Sequence, residues 1–419
     1  MKKSILNICI IFMISLLSVF TLKMKSENPE WMYFHDIKPS WTIAALGNSI
    51  YIQTNDEGTH WVIRLNLEDL SIDTIGRYSI SSIAMDANGD IWMSTRGKGV
   101  MHYKDGIITE YNPQNSGLSH HVVHDIAFDN KNNLWCATKN GLSKFDGQDW
   151  EVLRTDGSGQ FDNEFGEVVI DKDGSTWHLI NGSRVYHQTN GEFLLYNSEN
   201  TGFFNLHLTK KIGIDSKGNK WFVAGIDFID TLGGLIKYDN ASWVEYNNKN
   251  SELASNQLTT LTIDSNDIVW VGSYYNGLSK FDGTTWSNFT PSNSGISGEG
   301  VSNLCTDRFN NKWMYVYSVL TQETIGLEVF REGGVLLPTS AKESIERLKN
   351  KEPLVIPNPA VDMIRVTGIV MRERKYKITN ILGQIVLEGI FYHDIDVSAL
   401  SSGFYFLKVD DFYLKFIKK

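Results

Sequence analysis

The sequence predicts an all-β chain: a ring of seven four-stranded antiparallel sheets, then a small C-terminal β-sandwich. Three observations predict it. First, an Asp followed six residues later by Trp recurs at Asp86/Trp92, Asp129/Trp135, Asp171/Trp177, Asp215/Trp221, Asp264/Trp270 and Asp307/Trp313. Second, these tryptophans are spaced by 43, 42, 44, 49 and 43 residues, and a degenerate first copy puts Tyr51 41 residues before Trp92. Third, 12 Trp, 17 Tyr, 21 Phe and 35 Gly stand beside only 8 Pro and 3 Cys. That usage suits short strands joined by tight turns and excludes collagen-like or disulfide-stapled classes.

Each unit reads as four strands. In the unit near 119–160, HDIAFD is the first, LWCAT the second, LSKF the third and WEVL the fourth. Lys139-Asn140-Gly141 and Asp146-Gly147 supply hairpin turns. The unit near 254–296 repeats the scheme with TLTID, IVWVGS, GLSKFDG and WSNFT. An isolated four-stranded sheet exposes two apolar faces, and radial packing against neighbours buries both. Seven units therefore imply a seven-bladed β-propeller over 31–337. Trp92, Trp135, Trp177, Trp221, Trp270 and Trp313 become wedges between blades. Burying one Trp removes about 200 Å² from water, roughly 5 kcal/mol gross. Tyr103, Phe145, Tyr186, Tyr238, Phe281 and Phe330 recur in register on the third strands and join the core. Trp31 to Phe34 (WMYF) reads as a spare fourth strand able to close the ring and remove two exposed edges.

The chain ends read differently. Lys2 and Lys3 precede an apolar run from Ile5 to Leu22, so residues 1–25 read as a secretory signal. Its removal takes four lysines and no acid, moving the net charge from -10 to about -14. Such a balance argues against nucleic-acid binding. After the leader no long apolar run remains, so no transmembrane helix is expected. Cys136 and Cys305 occupy different places in different units, which speaks against a disulfide between them. Residues 338–353, charged and of helical propensity, read as a linker. Residues 354–419 alternate with period two and form the small sandwich.

The search for chemistry yields candidates for binding more than for catalysis. Asp86-Ala-Asn-Gly and its counterparts superficially echo calcium loops, but no bidentate Glu follows at the twelfth position, and Asp there caps a turn. No cofactor or metal is expected. His120, His121 and His124 open one first strand, and alignment on the Asp puts His207 at the place of His121, with Tyr78, Asn163, Asn256 and Glu299 at the same place. Loops between second and third strands share the face on which these residues lie. They contribute Asn55 and Asp56, Arg96 and Lys98, Lys139 and Asn140, Asn181, Tyr274 and Tyr275, and insertions around 227–230 and 322–323. Irregular loops on a rigid scaffold are where binding residues sit. The candidate ligand-binding set is Arg96, Lys98, His121, His124, Lys139, His207, Tyr274 and Tyr275. No G-x-S-x-G, H-E-x-x-H or G-x-x-x-x-G-K motif is present.

Two resemblances add to this. The repeat D-x-x-G-N-x-W, then N-G-L-x-K-F-D-G, then W-x-x-F/Y resembles the two-component regulator propeller repeat, over about 78–337 and more weakly over 40–77. That family includes sensor domains of hybrid histidine kinases and free secreted propellers. No kinase or receiver segment follows here, so only the propeller carries over. The C-terminal motifs Pro357-Asn358-Pro359-Ala360, Leu382-Gly383-Gln384, Ile395-Asp396-Val397-Ser398, Gly403 to Tyr405 and the closing Lys415 to Lys418-Lys419 resemble the type A sorting domain of the Bacteroidetes type IX secretion system. The resemblance implies passage through the periplasm to the medium or the outer-membrane surface, with the secretion machinery as partner of 354–419. The resulting expectation is a monomeric binding module for a glycan or protein ligand, without catalysis. The alternative is a polysaccharide lyase or hydrolase using His121, His124 and Arg96 at the channel mouth.

Overall fold

The computed structural model describes residues 8–12, 20–24, 30–34, 37–56, 58–155, 163–180, 184–202, 209–224, 233–321, 323–338, 354–356, 360, 362–367, 374–391, 394–409 and 412–419. The proposed linker core (339–353), His207, Asn181, the insertion at 227–230, Gln322 and Pro357 to Pro359 lie outside the described residues. Near the N-terminus, Ile8–Phe12 pairs antiparallel with Phe20–Met24.

Seven four-stranded antiparallel sheets follow in chain order. Sheet 1 runs from Pro39–Leu46 to Ile72–Gly76, sheet 2 from Ile80–Met85 to Ile107–Tyr111, and sheet 3 from Val123–Phe128 to Trp150–Leu153. Sheets 4, 5 and 6 begin at Phe165–Ile170, Thr209–Ile214 and Leu258–Ile263. Sheet 7 takes Gly300–Thr306, Lys312–Ser318 and Glu323–Phe330 from its own unit and Trp31–Phe34 from the N-terminus. The first strands touch their neighbours in sequence, and that of sheet 7 touches that of sheet 1, so the sheets close on themselves in the manner of a β-propeller.

The apolar clusters explain why. Each spans one boundary between sheets. Trp92 and Val100 of sheet 2 pack with Val123, Ile126 and Leu134 of sheet 3. Trp135 of sheet 3 meets Phe165, Val168 and Ile180 of sheet 4. The last boundary joins Trp313, Leu327 and Val329 to Ile50, Ile52 and Ile63 of sheet 1. The second strands of sheets 2 to 6 are buried along their whole length, as the wedge role demands.

The interval of six residues between Asp and Trp has a direct cause. The Asp closes the turn with one carboxylate oxygen and receives the indole N–H on the other. Asp307 Oδ1 accepts from the backbone N–H of Phe309 and Asn311, both at 2.9 Å, while Oδ2 accepts from Asn311 Nδ2 and Trp313 Nε1, both at 2.8 Å. The indole bond recurs at Asp86, Asp129, Asp215 and Asp264 with lengths of 3.0 to 3.3 Å. At Asp171 it does not. There Lys220 of the next sheet takes the carboxylate at 2.6 Å, its ammonium 5.0 Å from the ring centre of Trp177, and the Trp177 N–H has no partner.

In sheets 2 to 6 the Trp ring is covered by its cross-strand neighbour on the third strand. Lys144, Lys237 and Lys280 lie 5.1, 5.4 and 5.6 Å from the rings of Trp135, Trp221 and Trp270. His102 and His187 stack on Trp92 and Trp177 at 4.1 and 4.4 Å. The Lys of N-G-L-x-K-F-D-G is therefore a cation over an indole quadrupole.

Trp31–Phe34 closes the ring as the fourth strand of sheet 7, Trp31 pairing with Phe330 and Phe34 with Leu327. Trp31 stacks on Phe330 at 4.5 Å, and Tyr33 donates to the Gly295 carbonyl at 2.7 Å. Gly295 has no room for a side chain, since a Cβ there would lie 2.5 Å from the Trp31 ring.

The C-terminal region has two sheets. Leu354–Ile356, Met363–Thr367 and Asp394–Asp396 form one, and Arg374–Asn380, Ile385–Phe391, Gly403–Val409 and Phe412–Lys418 the other. Its core holds Ile364, Ile378, Val397, Tyr405, Leu407 and Phe416. Cys136 and Cys305 are free thiols.

Two outcomes follow. A chain lacking residues up to 37 should melt well below one lacking only residues up to 25, and equal melting would remove the closing strand from the account. Asp307→Ala, which leaves a buried indole N–H and two turn N–H groups without their acceptor, should cost about 3 kcal/mol in urea denaturation. A loss under about 1 kcal/mol would mean that apolar packing alone seats the Trp.

Candidate functional site: the channel and its mouth

The antiparallel order divides the loops between two faces. One face carries the Asp turns, which form a belt. The Asn132 side chain accepts from Ala87 N at 2.8 Å, Lys172 Nζ donates to the Ser216 carbonyl at 2.5 Å, and Asp267 accepts from Ser216 N at 2.7 Å. Arg308 then reaches Glu68 of sheet 1 at 2.6 Å. The turn reading of these aspartates therefore has a geometric basis: their oxygens are engaged by the protein itself.

The other face carries the loops between second and third strands and those leading from sheet to sheet. It opens onto a central channel of about 530 Å³ lined by the first strands of all seven sheets. Those strands share an irregularity. The register slips between Ile80 and Ser82, Val123 and Asp125, Phe165 and Glu167, Thr209 and Lys211, Leu258 and Thr260, and Ser302 and Leu304. A bulge re-aims side chains that strict alternation would assign to one face. In sheets 3, 4 and 6 the re-aimed residue ties its sheet to the next. Asp125 Oδ2 accepts from Val168 N at 3.0 Å, Glu167 Oε2 from Ile212 N at 2.8 Å, and Thr260 Oγ1 from Leu304 N at 3.2 Å.

In sheets 3 to 5 this position is charged. Glu167, 6 % exposed, pairs with Lys211 Nζ at 2.6 Å. Burial pushes the Glu167 carboxyl up to about 7; Lys211 opposes the rise and Asp125 adds to it. The Glu167 carboxylate in turn raises the Lys211 ammonium. Asp125, Glu167 and Lys211 are absent from the sequence-derived set. Their signal was a charge four residues before the repeat Asp (HDIAF, FGEVVI, TKKIGI), set against Thr at the same place in TLTID.

The predicted residues divide among three places. His121 stays on the rim, its Nε2 2.9 Å from Gln114 Nε2, while its carbonyl accepts from Gly99 N at 2.8 Å. The aligned Asn163 and Glu299 make the same carbonyl bond to Gly141 and Gly277, both at 2.7 Å, so this position is a splice between neighbouring sheets. His124 faces the channel, 3.5 Å from Glu164 of the next unit. Burial pushes its imidazole down; Glu164 opposes this, while Arg96 and Lys139 reinforce it. Arg96 and Lys98 line a groove beside Tyr78, and Lys139 is exposed. Tyr274 and Tyr275 pack edge to face at 4.6 Å, and Tyr274 meets Tyr317 of sheet 7 at 5.7 Å. Tyr275 is 49 % exposed. Arg77 and Tyr317 belong with these residues and were missed.

Among the described residues, one trio of His, Cys, Asp or Glu has ligand atoms close enough to share an ion: Asp86, Asp90 and His102. None of the predicted histidines belongs to it, and Lys104 already sits 2.7 Å from Asp90.

The sorting-segment residues have structural roles. Gly383 takes φ +76° in the Asn380–Gln384 turn. Asp396 accepts from Ser398 N at 2.8 Å, and the buried Tyr405 donates to the Ser401 carbonyl at 2.8 Å. Gly403 opens the strand that pairs with Lys418, and Lys419 N donates to the Ala360 carbonyl at 2.8 Å.

Glu167 gives the channel a pH signature. Its carboxyl binds a proton more tightly in the fold than its ordinary value of 4.5, so its contribution to stability is complete below about 4.5 and declines as pH rises through about 7. Glu167→Gln should flatten the melting temperature over that window. An unchanged slope would show that the carboxyl titrates normally.

Comparison with known proteins adds the following. Residues 354–419 match the secretion system C-terminal sorting domain family. No curated protein sequence matches the chain. PorZ, an essential bacterial surface component of the type IX secretion system of Porphyromonas gingivalis, is similar in structure, with TM-score 0.54 and 16 % identity over 96 % of this chain. This chain spans 63 % of the PorZ chain's length. A streptogramin B lyase matches with TM-score 0.54 and 12 % identity, covering 70 % of this chain and 94 % of its own. YCF48 bound to a D1 peptide matches with TM-score 0.53 and 12 % identity, covering 72 % and 95 %. At such identities the likeness is one of fold. The protein is secreted or surface-attached, exported by the type IX route through its sorting domain.

Proposed function

We propose that the chain is a seven-bladed propeller of the two-component-regulator type that acts, once exported by a type A sorting domain, as a binding module for a glycan or protein ligand at the channel mouth. The organisation taken is a leader over 1–25, the propeller over 31–337, a linker over 338–353 and the sorting domain over 354–419. The observation that carries the reading is the tyrosine cluster. Tyr274 and Tyr275 stand on a loop between second and third strands, packed against Tyr317 of the next sheet yet half open to solvent. Their backbone is pinned, Tyr274 N donating to the Gln257 carbonyl at 2.9 Å. Rigid aromatic rings beside a polar channel provide stacking area at little entropic cost.

A catalytic reading has one specific support: His124 and Glu164 face each other at the mouth of a fold shared with a streptogramin B lyase. The His121 arm of that reading is weakened by the engagement of His121 with Gln114 on the rim. Chelator-sensitive cleavage of an acidic polysaccharide would favour catalysis.

A glycan and peptide array with the wild type and with Tyr274→Ala and Tyr275→Ala tests the binding reading. The expected result is a ligand whose affinity falls about tenfold in each variant at unchanged melting temperature, the equivalent of about 1.4 kcal/mol. Binding indifferent to both substitutions would refute the tyrosine site.

A further inference from the structure

We propose that the groove formed by Arg77, Tyr78, Arg96 and Lys98 is a subsite for an acidic sugar, carboxylated or sulfated, of the ligand bound at the channel mouth. This deepens the binding reading and rests on it. The groove holds about 290 Å³, small for a ligand cavity. Three of its eight lining residues are cations and none is a carboxylate. On a chain of net charge -10 this concentration is local.

Two of the cations, Arg77 and Lys98, are in contact with neighbouring side chains. Arg77 Nη2 donates to Thr59 Oγ1 at 3.0 Å, and its guanidinium lies 5.8 Å from the ring centre of Trp61. Lys98 Nζ lies 5.9 Å from the Tyr78 ring centre and 3.7 Å from Glu110, which offsets part of the charge. The positive field continues toward the channel, because Arg96 and Lys139 both bear on His124. A guanidinium fork binds carboxylate or sulfate in a bidentate manner, and Tyr78 offers a ring for a sugar face.

A peptide fits less well. The N–H groups of Thr95, Lys98 and Gly99 are already bonded, to the Gly99 carbonyl, Thr95 Oγ1 and the His121 carbonyl at 2.9, 2.8 and 2.8 Å. These three N–H groups are therefore closed to an extended chain that would pair with the turn.

The test is calorimetric titration of the exported chain with polygalacturonate, heparin, neutral dextran and poly-glutamate. Polygalacturonate and heparin separate carboxylate from sulfate as the recognised group. The expected result is binding of at least one acidic polysaccharide, weakened at least tenfold by the Arg96→Ala/Lys98→Ala double variant and by Arg77→Ala. It should weaken on raising salt from about 50 to about 300 mM, and it should survive Lys131→Ala on the opposite face. Melting curves confirm folding, and two independent variants keep the test decisive if one is unstable. Acidic polysaccharide bound equally by both variants, or poly-glutamate bound as tightly, overturns the subsite. Dextran bound without either acidic polymer overturns the subsite and leaves the binding module standing. An array on which nothing binds overturns both.

Discussion

The carboxylate that receives an indole N–H six residues downstream is the contact on which this architecture turns. It joins two tasks in one side chain. One oxygen gathers the N–H groups of a tight hairpin, and the other fixes the large ring that the next sheet packs upon. Local turn geometry and the boundary between sheets are thereby set by the same group. Because the bonds are charge-assisted and screened from water, they hold the ring in one orientation rather than merely burying it. In sheets 2 to 6 a third-strand Lys or His lies over the ring as well.

Sheet 4 shows what happens when the pattern is altered. Asp171 turns to a lysine from the next sheet, so the tie between sheets becomes ionic and the Trp177 N–H is left without a partner. Asp264 does both, accepting from Trp270 at 3.0 Å and from Lys312 at 2.8 Å. In both sheets the lysine lies over the preceding Trp.

Much of this was legible in the sequence because the Asp-to-Trp interval is a covalent distance, unchanged by what surrounds it. The closing strand was legible only as a remainder, an apolar WMYF with no unit of its own. The channel was not legible. Asp125, Glu167 and Lys211 sit beside bulges, and a bulge breaks the alternation from which facing is inferred. His124 is itself the residue at the bulge between Val123 and Asp125, whereas His121 precedes the strand. Three positions apart in the chain, one turns back to the preceding loop and the other toward the following unit. Arg77 escaped because it lies on a connection between repeats, where period carries no information.

The closing strand also dictates an order of events. Every other ladder in the ring joins neighbours in the chain, so hairpins can form locally and early. Trp31 must find Phe330, 299 positions later. That pairing has by far the highest contact order in the propeller and is the slowest to be reached by search. Since Trp31–Phe34 is made before any other strand of the ring, its ladder partner is absent until the six sheets between have been made. The seventh sheet is complete only 24 residues before the sorting domain begins. The ring therefore cannot close until the chain has been made almost to the start of the sorting domain.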